Sequence, residues 1–174
     1  TTTPYYSLTL AVDGPGTLTV GLGSGTATLA NGETRTLYLN EDTEVTIEAA
    51  PVNPATDAFS YWFVSGDTPN LFDISKSSVQ TIKMEDEYDL TAVFVSLAGS
   101  YTLTLGVAGP GTIEVTPGGG SASFVVGSAG YTGYYASGAV VELEAIGTSP
   151  NHFSYWDGAA LPAGTDTFTP EQTV

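Results

Sequence analysis

His152 is the single histidine of the chain, and Asp157 follows it closely. An imidazole and a carboxylate are two members of a Ser-His-Asp hydrolase, with a serine as the third. No G-x-S-x-G elbow presents that serine, and His152 stands in a turn-like stretch beside Phe153-Ser154-Tyr155-Trp156. His152 is therefore expected to be a solvated turn residue. Carboxylates are dense at Glu41, Asp42 and Glu44, and again at Glu85, Asp86, Glu87 and Asp89. Paired carboxylates perform acid–base work in glycosidases when they flank a cleft. Both groups here fall between alternating apolar segments, where turns belong and acidic residues are ordinary. The same oxygens suit calcium, which takes roughly six to eight oxygen ligands. Glu85, Asp86, Glu87 and Asp89 are the candidate calcium ligands, without the D-x-D-x-D-G order of a dedicated loop. No other cofactor and no catalytic residue are expected, so the chain reads as something other than an enzyme.

Aromatic residues offer a second kind of chemistry. Tyr61-Trp62 and Tyr155-Trp156 could stack on carbohydrate, but both pairs stand in a repeated "FSYW", which favours a packing role. Tyr131, Tyr134 and Tyr135 of "GYTGYY" lie outside the repeated pattern. They read either as exposed anchors for a partner or as a loop folded back on its own sheet. "PGGGS" lacks the G-K-[ST] ending of a phosphate loop.

The elements that must position these residues are strands. Thr occurs 26 times and Gly 21 times in 174 residues, and 41% of the chain is apolar. Thr, Val, Tyr and Phe suit a pleated, half-buried backbone, with Gly and Pro punctuating it. There are 19 acidic against three basic residues, Arg35, Lys76 and Lys83, for a net charge of −16. Such a charge repels phosphate backbones and anionic lipid, which argues against a nucleic-acid partner. It keeps the chain soluble, and cations or low pH would quench repulsion between packed neighbours. No cysteine is present, so packing must supply stability. No apolar run is long enough for a transmembrane helix. A chain that starts at Thr without a signal peptide reads as a processed secreted protein.

Internal repetition is the strongest signal. "YSLTLAVDGPGTLTV" at 6–20 and "YTLTLGVAGPGTIEV" at 101–115 share ten of fifteen residues. "EVTIEAAP" at 44–51 matches "VVELEAIG" at 140–147, and "FSYW" recurs at 59–62 and 153–156. The offsets are 95, 96 and 94, which predicts two tandem units, 1–97 and 98–174. Tyr6, Leu8, Leu10 and Val12 alternate with polar or small neighbours, as do Val45, Ile47 and Ala49. Gly14-Pro15-Gly16 and Gly109-Pro110-Gly111 predict turns. The run 116–139 reads as strand, loop and strand with an exposed tyrosine cluster, and "SKSSVQTIKMEDE" leans towards strand. The expected fold is all-β: two small β-sandwich or β-grasp-like modules, mostly antiparallel.

The order Y-x-L-T-L-x-V-x-G-x-G-T, V-x-x-x-A, F-x-x-W and L-T-A-V-F resembles the divergent internalin B-repeat, or bacterial repeat domain. The resemblance covers 6–95 fully and 101–174 in part. It implies a β-rich module of secreted or surface-anchored proteins, used as a spacer, stalk or adhesion unit, with no catalytic residues.

"YDLTAVFV" at 88–95 is apolar on both faces and reads as a strand inside a sheet. Aligned from its end, the second copy places Val174 opposite Leu90, and the residues equivalent to Ala92, Val93 and Phe94 are then missing. The strand could lie in chain beyond residue 174, come from another subunit, or be dispensable because the second unit closes differently. The chain ends, Thr1, Tyr5, Thr173 and Val174, are candidate contacts with a neighbour. The expected function is an extracellular structural subunit of a filament, sheath or surface layer, joined to copies of itself or to further repeats by strand complementation. The alternative is a stalk or adhesion module that binds a glycan or receptor.

Overall fold

The computed structural model describes residues 4–65, 77–120, 122–158 and 171–173. The fold is all-β, and its described helical content is one 3-10 turn, Leu97–Gly99. The first repeat supplies β1 (Tyr5–Asp13), β2 (Gly16–Leu22), β3 (Gly25–Ala30), β4 (Thr34–Asn40), β5 (Glu44–Pro51), β6 (Asp57–Val64), β7 (Val79–Lys83) and β8 (Tyr88–Ser96). They form two four-stranded sheets, ordered β4-β1-β8-β6 and β3-β2-β5-β7. Within "SKSSVQTIKMEDE", Val79–Lys83 is a strand, as the Ser, Thr and Val content of that stretch predicts.

The two sheets face each other through residues that alternate along each strand. Leu8, Leu10 and Val12 of β1, Leu18 and Val20 of β2, Val45 and Ile47 of β5, and Leu90 and Ala92 of β8 are all buried in one core. Trp62 of β6 is 1% exposed there, and its indole N–H donates to the Ser77 carbonyl at 2.8 Å. All ladders are antiparallel except β1–β8, which is parallel with Leu8 opposite Tyr88, Leu10 opposite Leu90 and Val12 opposite Ala92. β8 therefore sits inside its sheet, between β1 and β6, as its two apolar faces require.

The second repeat supplies β9 (Ser100–Leu105), β10 (Gly111–Pro117), β11 (Phe124–Val126), β12 (Tyr131–Ala136), β13 (Val141–Gly147) and β14 (Glu171–Thr173). Its sheets are β11-β10-β13-β14 and β12-β9. The registers copy the first repeat: Ile113 faces Ala145 as Leu18 faces Ala49. Thr173 faces Glu142 as Thr81 faces Thr46, so β14 repeats β7. This corrects the expected alignment of Val174 with Leu90. The end of the chain corresponds to β7, and the whole equivalent of β8 is absent from the described residues. "FSYW" forms a strand at 59–62 but not at 153–156. The ladder partner of β6 is β8, and no equivalent of β8 lies among the described residues of the second repeat.

Phe94 is the keystone of the first repeat. Its ring meets Phe59 edge-to-face at 5.7 Å, and Phe59 in turn packs on Trp62 at 5.5 Å. A Cβ at Gly16 would overlap the Phe94 ring, and one at Gly14 would overlap its backbone carbonyl. Gly14 also has φ 92°, a left-handed value that favours glycine. Phe94→Ala is expected to lower stability by about 3–5 kcal/mol, because the glycine-floored slot cannot collapse onto a methyl group. Urea unfolding monitored by tryptophan fluorescence measures the loss.

Candidate functional site

The second repeat reproduces part of the Phe94 slot, and no strand equivalent to β8 lies among the described residues. The Gly109-Pro110-Gly111 turn is built as in the first repeat. The Pro110 carbonyl accepts the Thr148 N–H at 3.2 Å, as the Pro15 carbonyl accepts that of Val52 at 3.1 Å. Gly109 has φ 103°, close to the 92° of Gly14. Yet a Cβ at Gly109 would meet nothing within 4 Å, where one at Gly14 collides with Phe94. Phe153 and Trp156 pack at 5.4 Å, matching the 5.5 Å of Phe59 and Trp62. Two rings of the three-ring cluster are thus in place.

The result is a groove of about 720 Å³. Gly106, Val107, Ala108, Pro110 and Gly111, the Ile146-Gly147 end of β13, and Phe153 to Asp157 line it. β9 differs from β1 along the edge where β1 meets β8. Ser7, Thr9 and Ala11 of β1 are half-buried, but their counterparts Thr102, Thr104 and Gly106 are exposed. β1 runs to Asp13 because Ala11, Val12 and Asp13 pair with Thr91, Ala92 and Val93. β9 stops at Leu105, leaving 106–108 outside any described ladder. Val12 is 3% exposed, whereas Val107 is only half-buried.

The sequence-predicted candidates fall in several places. His152 and Asp157 line the groove, and His152 is exposed, as expected of a turn residue. Trp62 is buried, Trp156 is half-buried, and Tyr155 is 59% exposed. The expectation of an exposed tyrosine loop is corrected: Tyr131, Tyr134 and Tyr135 lie on strand β12. Tyr135 is 4% exposed and stacks on Tyr61 at 6.0 Å, so the first repeat itself covers it. Its hydroxyl shares a hydrogen bond of 3.0 Å with that of Tyr131. The Ser60 hydroxyl donates to the Tyr134 carbonyl, adding a second tie between the repeats. Tyr134 retains 38% exposure.

Tyr5 lies on β1 opposite Asn40 and is 67% exposed, with its ring edge-on to Tyr38 at 6.4 Å. Thr173 belongs to β14, and Thr1 and Val174 lie outside the described residues. The acidic turns are organised by a cation rather than around one. Lys83 Nζ reaches Asp42 at 2.6 Å and Glu85 at 3.0 Å, and both contacts hold its pKa above the usual lysine range. Asp86 accepts the Glu87 N–H at 2.8 Å. Among the described residues no group of three acidic or histidine side chains could hold a metal ion, so Glu85, Asp86, Glu87 and Asp89 are not gathered into a calcium site. Among the described residues no helix is long and apolar enough to cross a membrane.

Comparison with family models, curated proteins and solved structures returns no match, so the template for the second repeat is the first repeat of the same chain.

Burial raises the pKa of Tyr135, followed in effect by the neighbouring Tyr131, and burial likewise raises those of Tyr131 and Tyr61. A phenol whose folded pKa is raised contributes stability that is complete below its unfolded value of about 10 and is lost as pH climbs beyond it. Stability is therefore expected to stay level from neutral pH to about pH 10 and to fall above it. In Tyr135→Phe that alkaline fall should be shallower. Urea midpoints measured between pH 8 and 11.5, with tyrosine ionisation followed by ultraviolet absorbance, check this.

Proposed function

We propose that the chain is an extracellular structural subunit, which assembles into a filament, sheath or surface layer by strand complementation between subunits. The observation that carries this reading is the edge of β9. β1 is flanked by β4 and β8, whereas β9 has β12 alone among the described residues. A strand edge beside a groove is a template for a strand from elsewhere. The tandem repetition and the resemblance to bacterial surface repeats support the same reading. The net charge of −16 fits a subunit whose association responds to ions.

A second reading, a stalk or adhesion module that binds a glycan or receptor, draws on Tyr5 and Tyr38. They form an exposed aromatic pair, 67% and 72% accessible, on the β1–β4 ladder. Exposed rings of this kind stack on sugars and anchor interfaces. Binding on a glycan array that is lost in Tyr38→Ala would favour it.

The primary reading predicts concentration-dependent assembly in sedimentation velocity, with elongated particles by negative-stain microscopy. Raising salt from about 10 mM to about 150 mM should strengthen assembly, since the Debye length shrinks from about 30 Å to about 8 Å and subunit repulsion is screened. Gly106→Pro should abolish assembly and leave the circular dichroism spectrum unchanged. It removes an N–H just beyond the β12–β9 ladder, at a position where an added Cβ meets nothing within 4 Å. A chain that stays monomeric at high concentration and salt would refute the reading.

A further inference from the structure

We infer that β4 is the joint of a two-fold dimer, in which it pairs antiparallel with β4 of a second copy and Tyr38 faces its own counterpart. The second copy is recognised by a main-chain ladder, by Leu37 against Leu39 and by Arg35 against Glu41. The inference goes beyond the proposed function, which places its joint at β9, and does not depend on that joint.

β4 closes one side of the sheet β4-β1-β8-β6 and has β1 as its one partner among the described residues. Its residues Thr34–Asn40 contain no proline, keep an unbroken register with β1, and are all exposed or half-buried. An edge of this kind invites another strand. Glu41 N–H donates to the Pro4 carbonyl at 2.9 Å, and the Glu33 carbonyl accepts the Val12 N–H at 3.2 Å. Main-chain directions alternate along an antiparallel ladder, so Thr34, Thr36 and Tyr38 turn their N–H and C=O groups away from β1. Side chains alternate as well. Leu37 and Leu39 pack half-buried at the margin of the core, on the face that Arg35 shares. Tyr38 stands on the other face, 72% exposed.

Charge selects the occupant and its register. Arg35 is one of three basic residues in a chain of net charge −16, and it has no ion pair among the described residues. Two-fold pairing centred on Tyr38 sets Arg35 opposite Glu41 of the second copy, and Glu41 opposite its Arg35. Leu37 then lies opposite Leu39 twice over, and Thr36 opposite Asn40. Tyr38 forms a hydrogen-bonded pair with its counterpart, as its outward main-chain groups require. Centring on Leu37 would set Glu33 against Glu41, and like charges directly opposite destabilise a ladder. Centring on Leu39 would set Leu37 against Glu41, and centring on Thr36 would set Glu33 against Leu39. The Tyr38 register alone of these meets acid with base and leucine with leucine. It also sets the two Tyr38 rings side by side on the outer face, where aromatic cross-strand pairs stabilise.

The chain has no cysteine, so a single introduced thiol reports the register. Hydrogen-bonded partners in an antiparallel ladder have Cα atoms about 5.5 Å apart, a separation that a disulfide spans. Oxidised with diamide, the full-length Tyr38→Cys chain should give a covalent dimer on a non-reducing denaturing gel. Thr36→Cys should not, since the two copies of that position lie about four residues apart along the ladder, roughly 13 Å. In the Tyr38→Cys chain, adding Arg35→Glu or Glu41→Arg should slow dimer formation about tenfold, and adding both should restore it. In the unsubstituted chain, amide protection at 34–40 should rise with concentration in hydrogen exchange. Equal cross-linking at both positions, or single charge swaps without effect, would overturn the inference. Faster dimer formation on Arg35→Ala would overturn it and make Arg35 a guard of the edge. Faster dimer formation on Glu41→Arg would overturn it in favour of net charge as the control of association. Covalent dimers without elongated particles would uphold the β4 joint and reject the polymer. Elongated particles without covalent dimers would reject β4 as a joint and leave the polymer standing.

Discussion

The first repeat depends on the insertion of β8 between β1 and β6. β8 is the one parallel neighbour in the described ladders, and it brings Leu90, Ala92 and Phe94 into the core while its own backbone is paired on both sides. A chain that ends a hairpin-built sheet can add such a strand only by crossing from the opposite sheet, which is what the turn from β7 to β8 does. Phe94 then locks the crossing, because Gly14 and Gly16 leave room for its carbonyl and ring and for little else. The "GPG" turn, the "FSYW" strand and the "YDLTAVFV" strand are thus three parts of one joint.

Seen through that joint, the peculiarities of the second repeat share a single cause. β9 is shorter than β1, 153–156 is not a strand, Val107 is less buried than Val12, and a groove opens beside Pro110 and Gly111. Each follows from the absence, among the described residues, of a strand equivalent to β8. The remaining framework does not collapse. Ile113, Val115, Phe124, Val126, Val141 and Leu143 still form a core, and Tyr61 of the first repeat packs against it. The stack of Tyr61 on Tyr135 therefore ties the incomplete unit to the complete one and covers part of the face that a lone module would expose.

Period-two alternation made the strands legible, since each inward residue of β1, β2 and β5 could be named from sequence. The interior place of β8 was legible too, because both of its faces are apolar. The alignment of the second chain end was not. Its error is a slip of eight residues, and an even slip preserves every inward and outward assignment, so alternation cannot detect it. Only the ladder from Thr173 to Glu142 decides it. Tyr135 was misjudged for a related reason. Local pattern shows that a strand has two faces, but the surface covering one of them belongs to β6, some 70 residues away in sequence. The pairing of Lys83 with Asp42 is likewise a long-range fact about two turns. The groove left no motif to find, since its lining is drawn from separate stretches, Gly106 to Ile113, Ala145 to Gly147 and Asn151 to Asp157, that only the fold brings together.

Charge bears on how such a chain can recognise anything. With 19 acidic and three basic residues, two copies approach each other against their own fields. Interfaces built on ion pairs are scarcely available to it, and Lys83 is already engaged by Asp42 and Glu85. Main-chain hydrogen bonding is indifferent to net charge, and so is the burial of an aromatic ring between glycines and other rings. Pairing along a strand edge is therefore the form of recognition least penalised by this composition.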